Sequence, residues 1–247
     1  MNHPLRKLSL KAETRNYIKN SQAPVNLNDE RADRETDTEA GVHLLRNTKT
    51  PLRPDACALS AEEKIKIISG HVKEILHTLG LDLLDESIRD TPLRVAKMYV
   101  NETFKGLDPA HQPDMTLFDN AYQYQEMLVE KNITFYSTCE HHLVPIFGKV
   151  HLAYYSSGKV IGLSKLNRLV DYYARRPQVQ ERLSIQIAEA LKNTLQTEDV
   201  AVLIDSTHLC VASRGIRDVN STTITAEYSG KFKNREVRNE FLAYIGK

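Results

Sequence analysis

Apolar side chains recur at helical spacing where the first periodic pattern of the chain begins. These positions are Ile65, Ile68, Val72, Ile75, Leu76 and Leu79. The capping-box pattern Ser60-Ala-Glu-Glu63 precedes them and Gly80 follows, so the sequence predicts an amphipathic helix between these signals. Thr91-Pro92 is typical of a second helix start, and Gly106 is the predicted end of that helix.

Strand-like patterns begin after about residue 128 and alternate with two long helical patterns. The β-rich segments are 129–135, 150–154, 200–204 and 222–228. The segment 150–154 alternates apolar with more polar residues, which predicts a strand buried on one face. Helices are predicted over Leu163 to Arg176 and, beyond Pro177, as far as Leu195. This order predicts an α+β fold built from hairpins rather than from βαβ units.

The first 50 residues lack these patterns. Residues 1–50 are polar, contain few aromatic residues and show no sustained apolar period, which is typical of a disordered tail. We therefore predict one domain over 51–247, with N-terminal helices in 51–107 and the α+β pattern in 108–247.

Composition excludes several classes of protein. The 247 residues include 33 Lys and Arg and 32 Asp and Glu, a net charge of +1, so charge gives no reason to expect binding to nucleic acid or to an anionic membrane. No apolar run reaches the ~18 residues of a membrane-spanning helix, and the N-terminus lacks a secretory signal. Three cysteines are too few for a disulfide scaffold. We expect a cytoplasmic protein.

The first candidate for chemistry is Cys139-Glu-His-His142. Cys139 and His142 are three residues apart and meet one metal ion only if the chain turns between them. Thr138 and Pro145 are compatible with such a turn. The alternative is a buried thiol beside a structural histidine.

A second candidate is His208-Leu-Cys210, which follows a strand-like segment. In a strand the two side chains lie on the same face, and the alternative is an inward-facing pair without function. Together with Cys139 and His142, Cys210 completes a Cys2His set, which is typical of catalytic zinc with a fourth position left to water. His141 and His208 then remain for proton transfer. We interpret Cys57 as incidental.

Polar residues on the predicted helices form a third candidate. Lys165 and Arg168 lie three residues apart, after Ser164, and Arg214 follows the second cysteine cluster. Each is a solvated charge or part of a polyphosphate site. Gln180 and Glu181 begin the last long helix, where an acid stabilises the helix dipole or accepts hydrogen bonds from a guanine edge.

Several of these motifs together resemble GTP cyclohydrolase I over about residues 50–247. They are Ser137-Thr-Cys-Glu-His-His142, Ile161-Gly-Leu-Ser-Lys-Leu-Asn-Arg168, Arg175-Arg-Pro-Gln-Val-Gln-Glu-Arg-Leu183, His208-Leu-Cys210 with Arg214-Gly-Ile-Arg217, and Thr91-Pro-Leu-Arg-Val-Ala-Lys-Met-Tyr99. The resemblance implies hydrolysis of GTP to 7,8-dihydroneopterin triphosphate and formate, the first step of folate or pterin biosynthesis.

The resemblance also implies a role for each matching residue. The ligands of Zn2+ would be Cys139, His142 and Cys210, and water activated by the ion would attack C8 of the guanine. His141 and His208 would move protons, and Ser164 would lie near the sugar. Glu181, with Gln180, would hold the guanine edge. The triphosphate would meet Lys165, Arg168, Arg214, Arg94 and Lys97.

The fold implied by the resemblance is the tunnelling fold, in which antiparallel sheets of several subunits close a barrel backed by helices. The family assembles as a decamer of two pentamers, so a homo-oligomer is expected, with 108–247 as the catalytic part. Two alternatives stay open. One is a deazaguanine nitrile reductase of the same fold, which the Cys2His set disfavours. The other is a non-catalytic regulatory paralogue.

Overall fold

The computed structural model describes residues 48–247. Most of the predicted tail, residues 1–47, lies outside the described residues. Two helices open the described part, α1 (Ala61–Thr78) and α2 (Thr91–Met98). The capping box is confirmed, because the Ser60 hydroxyl accepts from the Glu63 amide and the Glu63 carboxylate accepts from the Ser60 amide at 2.9 Å. Gly80 follows α1 with a φ of 86°.

The end of α2 differs from the prediction. A π-helical turn, Tyr99–Thr103, continues α2, and Gly106 lies beyond it in a short 3-10 turn, Lys105–Leu107. Gly106 therefore does not cap the helix. Its amide donates to the Arg175 carbonyl at 3.0 Å, so it joins the N-terminal helices to residues 108–247.

A five-stranded sheet lies at the centre of residues 108–247, with strand order β5-β2-β3-β6-β7. These strands are β2 (Leu128–Cys139), β3 (Pro145–Tyr154), β5 (Pro177–Gln178), β6 (Val200–His208) and β7 (Thr223–Tyr228). β2, β3, β6 and β7 pair antiparallel, and only the short β5 runs parallel to its neighbour. The α+β prediction with hairpin-type connections is thus confirmed. β1 (Leu117–Asp119) and β4 (Lys159–Ile161) form a separate two-stranded sheet.

Two helices cover one face of the large sheet, α3 (Leu163–Ala174) and α4 (Gln180–Leu195). Alternate residues of the strands enter the core beneath them, as the two-residue period of a strand requires. Val150, Val202 and Ile204 are fully buried there, against Leu166 and Ile187.

The opposite face is also covered in part, which the sequence did not predict. β3 is buried on both faces from Val150 to Tyr154, so the prediction of a strand buried on one face is wrong. A 3-10 turn (Gly230–Lys233) and a C-terminal helix, α6 (Arg235–Ile245), pack there through Phe232 and Phe241. Phe241 is the one buried residue of α6, too weak a periodic signal to predict the helix.

One further element is α5 (Leu209–Ala212), a single turn after β6.

Within residues 48–247, none of the helices combines the length and apolar character that a membrane span requires.

We predict that Gly106→Ala destabilises the protein. A Cβ at Gly106 would lie 2.1 Å from the Tyr172 carbonyl oxygen and 2.9 Å from that of Arg175, so backbone has to move. We expect a loss of about 1–3 kcal/mol in the free energy of unfolding, measured by denaturant titration. The matched control is Gly70→Ala in α1, where a Cβ meets nothing within 4 Å and a gain of about 0.5–1 kcal/mol is expected. Equal effects of the two substitutions would contradict the packing role of Gly106.

Candidate active site

The Cys-x-x-His segment forms the turn that its predicted chemistry requires. Cys139 is the last residue of β2, and its amide donates to the Val144 carbonyl at 2.8 Å. The Leu143 amide donates back to the Cys139 carbonyl at 2.8 Å, with Leu143 in the left-handed region at a φ of 53°. These bonds close a tight loop, and both His141 and His142 lie on it, exposed.

The second cluster is built differently from the prediction. β6 ends at His208, and Cys210 lies in the one-turn helix α5 rather than in a strand. The expectation that the two side chains share a strand face is therefore wrong. Because His208 ends the strand and Cys210 lies on the helical turn, the two side chains contact different partners.

Cys210 turns toward the first cluster. The ligand atoms of Cys139, His142 and Cys210 all lie within 4.8 Å of one another. Ligands of one tetrahedral zinc ion, at ~2.3 Å for sulfur and ~2.0 Å for nitrogen, are about 3.5–3.8 Å apart. The Cys139 Sγ to His142 Nδ1 distance is 3.8 Å, which fits. The donor set therefore suits a soft divalent ion such as zinc.

His141 Nδ1 is also close to Cys139 Sγ, at 3.7 Å, so proximity to Cys139 alone does not choose between the two histidines. His142 belongs to the group that includes Cys210, and His141 does not. This agrees with the assignment of His142 as ligand and leaves His141 beside the group.

The surroundings of Cys210 affect its ionisation. Burial raises the pKa of Cys210, and the neighbouring Cys139 sulfur raises it further, while the charge of Arg214 lowers it. The net effect raises the pKa of Cys210 and so favours its protonated thiol. A bound divalent ion reverses this preference because it stabilises thiolates.

His208 is held by a buried amide. Its Nε2 lies 2.7 Å from Gln180 Oε1, which also accepts from the Ser206 hydroxyl at 2.7 Å. Gln180 Nε2 donates to the carbonyls of Ile204 and Thr223 at 3.1 and 2.9 Å, and this fixes which end of the amide is oxygen. His208 therefore carries its proton on Nε2, and Nδ1 holds the lone pair.

The same bonds change the interpretation of Gln180. Its side chain is 2% exposed and uses both donor hydrogens and both acceptor positions within the protein. The expectation that Gln180 lies beside the guanine edge is therefore not what this geometry favours. Gln180 instead orients His208.

Glu181 is exposed in the first turn of α4. Burial lowers the pKa of His208, and the negative charge of Glu181 partly opposes that effect. The carboxylate is therefore close enough to act on the imidazole. Unlike Gln180, the Glu181 side chain is not packed in the core. It is therefore accessible to a ligand.

The predicted cations fall into two groups. Lys165 and Arg168 lie on the solvent side of α3, with the exposed Ser164, and Arg214 is close enough to Cys210 to affect its pKa. In contrast, Arg94 and Lys97 lie exposed on α2, which packs mainly on α1 and the π-helical turn. Within residues 48–247, the main packing partners of α2 therefore do not include β2 or α5, the elements that carry Cys139 and Cys210.

One pair of residues at the site was missed from the sequence. Arg182, in the first turn of α4, donates to both oxygens of Glu140, at 2.6 and 3.2 Å. The hydrogen bond from Arg182 lowers the pKa of Glu140. Both residues lie within the motifs analysed above. The sequence alone does not show that these two charged residues pair with each other.

Comparison with known proteins shows that the chain is similar to one enzyme family over most of its length. The family model for GTP cyclohydrolase I matches residues 68–246. The GTP cyclohydrolase 1 of Flavobacterium johnsoniae is 61% identical over 203 residues, 82% of this chain and 91% of that protein. The Vibrio parahaemolyticus protein of the same name is 52% identical over 198 residues, 80% of this chain and 90% of its own length. An Escherichia coli relative is 50% identical over 203 residues, with 82% and 91% covered.

We predict that two of the three cysteines are required for metal binding. Cys139→Ser and Cys210→Ser replace a thiolate with a much poorer hydroxyl ligand, so each should lose the bound zinc. Elemental analysis of the purified variants measures this. Cys57→Ser is the matched control, since Cys57 is exposed and outside the group, and it should keep about one zinc per chain. Zinc retained in Cys210→Ser would show that the third ligand is another residue.

Proposed function

The chain belongs to the GTP cyclohydrolase I family, and from that premise we propose which of its residues carry the reaction. Its function is that of GTP cyclohydrolase I, the hydrolysis of GTP that begins pterin and folate biosynthesis, and its fold is the tunnelling fold. The alternative of a deazaguanine nitrile reductase is set aside by the same family match. The observation that carries the residue assignment is the grouping of Cys139, His142 and Cys210.

We assign zinc to that group. Two sulfurs and one imidazole match a catalytic zinc site with a fourth position left to solvent, whereas structural zinc sites have four protein ligands. When bound, zinc supplies a nucleophile at neutral pH, because it lowers the pKa of its water to ~7. The exposure of His142 leaves room for solvent and substrate at that position.

His208 is suited to accept a proton. The Gln180 amide holds its Nε2–H, so the lone pair of Nδ1 is the basic position. Burial lowers the pKa of His208, which keeps the ring neutral and able to act as a base near neutral pH. His141, exposed and 3.7 Å from the Cys139 sulfur, is the second group placed to move protons as formate leaves.

Glu181 and the nearby cations are assigned to the substrate. An exposed carboxylate accepts two parallel hydrogen bonds, which matches the N1–H and amino group of a guanine. GTP carries about four negative charges, and Lys165, Arg168 and Arg214 supply positive charge on the elements that flank the site. Ser164 precedes two of these cations and is assigned to the sugar.

We also propose that the active protein is a homo-oligomer, a decamer of two pentamers. The open part of the sheet exposes Tyr136, Phe147 and Ile224, which are 53%, 36% and 52% accessible. Apolar groups exposed together on a sheet are typical of an interface. Arg94 and Lys97 join the triphosphate in this assembly if α2 of a neighbouring subunit reaches the site. The free cysteines suit a reducing compartment, and we assign the protein to the cytoplasm.

The test of the function is release of formate from GTP. The purified protein should produce formate and a fluorescent oxidised pterin, and a chelator should stop both. Glu181→Ala should lower kcat/KM for GTP at least tenfold, because loss of a charged hydrogen-bond partner costs about 1.5–3 kcal/mol. The matched control is Glu189→Ala, an exposed acid two turns further along α4, which should retain activity. No formate with zinc present would support the regulatory paralogue instead.

The test of the assembly is its mass in solution. Light scattering at micromolar concentration should give a mass near ten times the 28.1 kDa of the chain. Tyr136→Lys places a charge on the exposed part of the sheet and should shift the mass toward smaller species with a parallel loss of activity. A monomer with full activity would contradict the shared site.

A further inference from the structure

The loop Cys139–Leu143, called the metal loop below, contains one residue of an ion pair, Arg182 with Glu140. This pair has no role in the assignments above. The Arg182 side chain is 7% exposed and that of Glu140 is 23% exposed. The guanidinium donates from Nη1 to Oε2 at 2.6 Å and from Nη2 to Oε1 at 3.2 Å. Such a two-bond arrangement fixes orientation as well as distance. Since the guanidinium is buried, it is not available to bind the triphosphate.

Glu140 stands between two of the proposed ligands. Cys139 precedes it directly and His142 follows two residues later. The Glu140 amide also donates to the Gln178 carbonyl at 3.1 Å. Glu140 is thus held at its backbone by Gln178, two residues before α4, and at its side chain by Arg182 in the first turn of α4.

The first turn of α4 also holds the other half of the site. Gln180 bonds to His208, which ends β6 two residues before Cys210. Gln180 and Arg182 therefore connect the same helical turn to the two separate segments that supply the metal ligands.

We propose that Arg182 is a positioning residue for the metal site: through Glu140 it sets the position of the Cys139–His142 loop relative to Cys210. This inference rests on the metal site of the proposed function. The backbone bonds of Cys139 and Leu143 that close the loop do not involve the ion pair, so the turn itself does not depend on it. Without the ion pair, the loop samples more positions, and metal binding has to order it.

An alternative is that the pair serves only stability. Buried ion pairs often contribute little net stability, because desolvation of both charges offsets their attraction. A purely stabilising role predicts equal metal affinity in all folded variants. A positioning role predicts weaker metal binding even in variants that remain stable, and these expectations are separable by experiment.

The experiment measures zinc affinity by competition with a chelating indicator, and the absorption spectrum of the cobalt-substituted protein. Arg182→Gln and Glu140→Gln should each bind zinc about 10–100-fold more weakly, the usual effect of losing a residue that supports metal ligands. Their cobalt spectra should be weaker or shifted, since the ligand geometry changes. Arg182→Lys keeps the charge but loses the two-bond geometry, so its affinity should lie between wild type and Arg182→Gln.

Two further variants separate positioning from stability. Asp171→Asn breaks ion pairs with Lys105 and Arg175, at 2.6 and 2.9 Å, which involve no residue of the Cys139–Leu143 loop, and should leave zinc affinity unchanged. The double variant Glu140→Leu with Arg182→Met removes both buried charges together. It should have a thermal midpoint close to wild type yet bind zinc as weakly as the single variants.

The outcomes distinguish this inference from the proposed function. If wild type binds zinc and the Arg182 and Glu140 variants bind it equally well, Arg182 does not position the site, although the metal assignment stands. If wild type binds no zinc, the metal assignment fails and this inference fails with it. If zinc affinity falls only in proportion to thermal stability in every variant, the Asp171→Asn control included, the inference is also overturned.

Discussion

The register of three strands is the constraint on which the site depends. β3 lies between β2 and β6, and its first two residues pair with the ends of both neighbours: Pro145 with Thr138, and Ile146 with His208. Cys139 comes directly after Thr138, and Cys210 comes two residues after His208. Two segments about 70 residues apart in the sequence thereby reach within 4.8 Å. A slip of one residue in either pairing would turn each strand's side chains to the opposite face, and the ligand set would separate.

Parts of this arrangement are predictable from the sequence, and the reason is local. A capping box, a proline after a threonine and a tight Cys-x-x-His turn each depend on a few neighbouring residues, and Ser60 and Cys139 both lie where local rules place them. The end of β6 is different. Nothing in His208-Leu-Cys210 shows that the strand stops at the histidine and that the cysteine belongs to a helical turn. His208 contacts Gln180, whereas Cys210 joins Cys139 and His142. This difference is visible only in the tertiary structure.

The polar groups of α4 show why the remaining details are not readable from the chain. Gln180, Glu181 and Arg182 are consecutive, yet the first is 2% exposed, the second is exposed and the third is 7% exposed. Burial of an amide and a guanidinium is tolerated only because each has its hydrogen bonds satisfied. Those partners come from β6, β7 and the metal loop. A sequence motif records the three residues, but whether each contacts protein or ligand depends on what packs against the helix.

The distribution of charge completes the argument about assembly. The cations on α3 and beside Cys210 flank the cysteine cluster, whereas Arg94 and Lys97 lie on a helix that packs mainly on α1. Under the proposal that all five cations bind one triphosphate, Arg94 and Lys97 are contributed by α2 of a neighbouring subunit. The sheet meanwhile leaves Tyr136 and Phe147 stacked on an open surface, with ring centroids 6.3 Å apart. In the proposed oligomer, a second subunit would cover these aromatic rings and would also supply α2 to the site. Burial of apolar surface and completion of the cationic site would then follow from the same assembly.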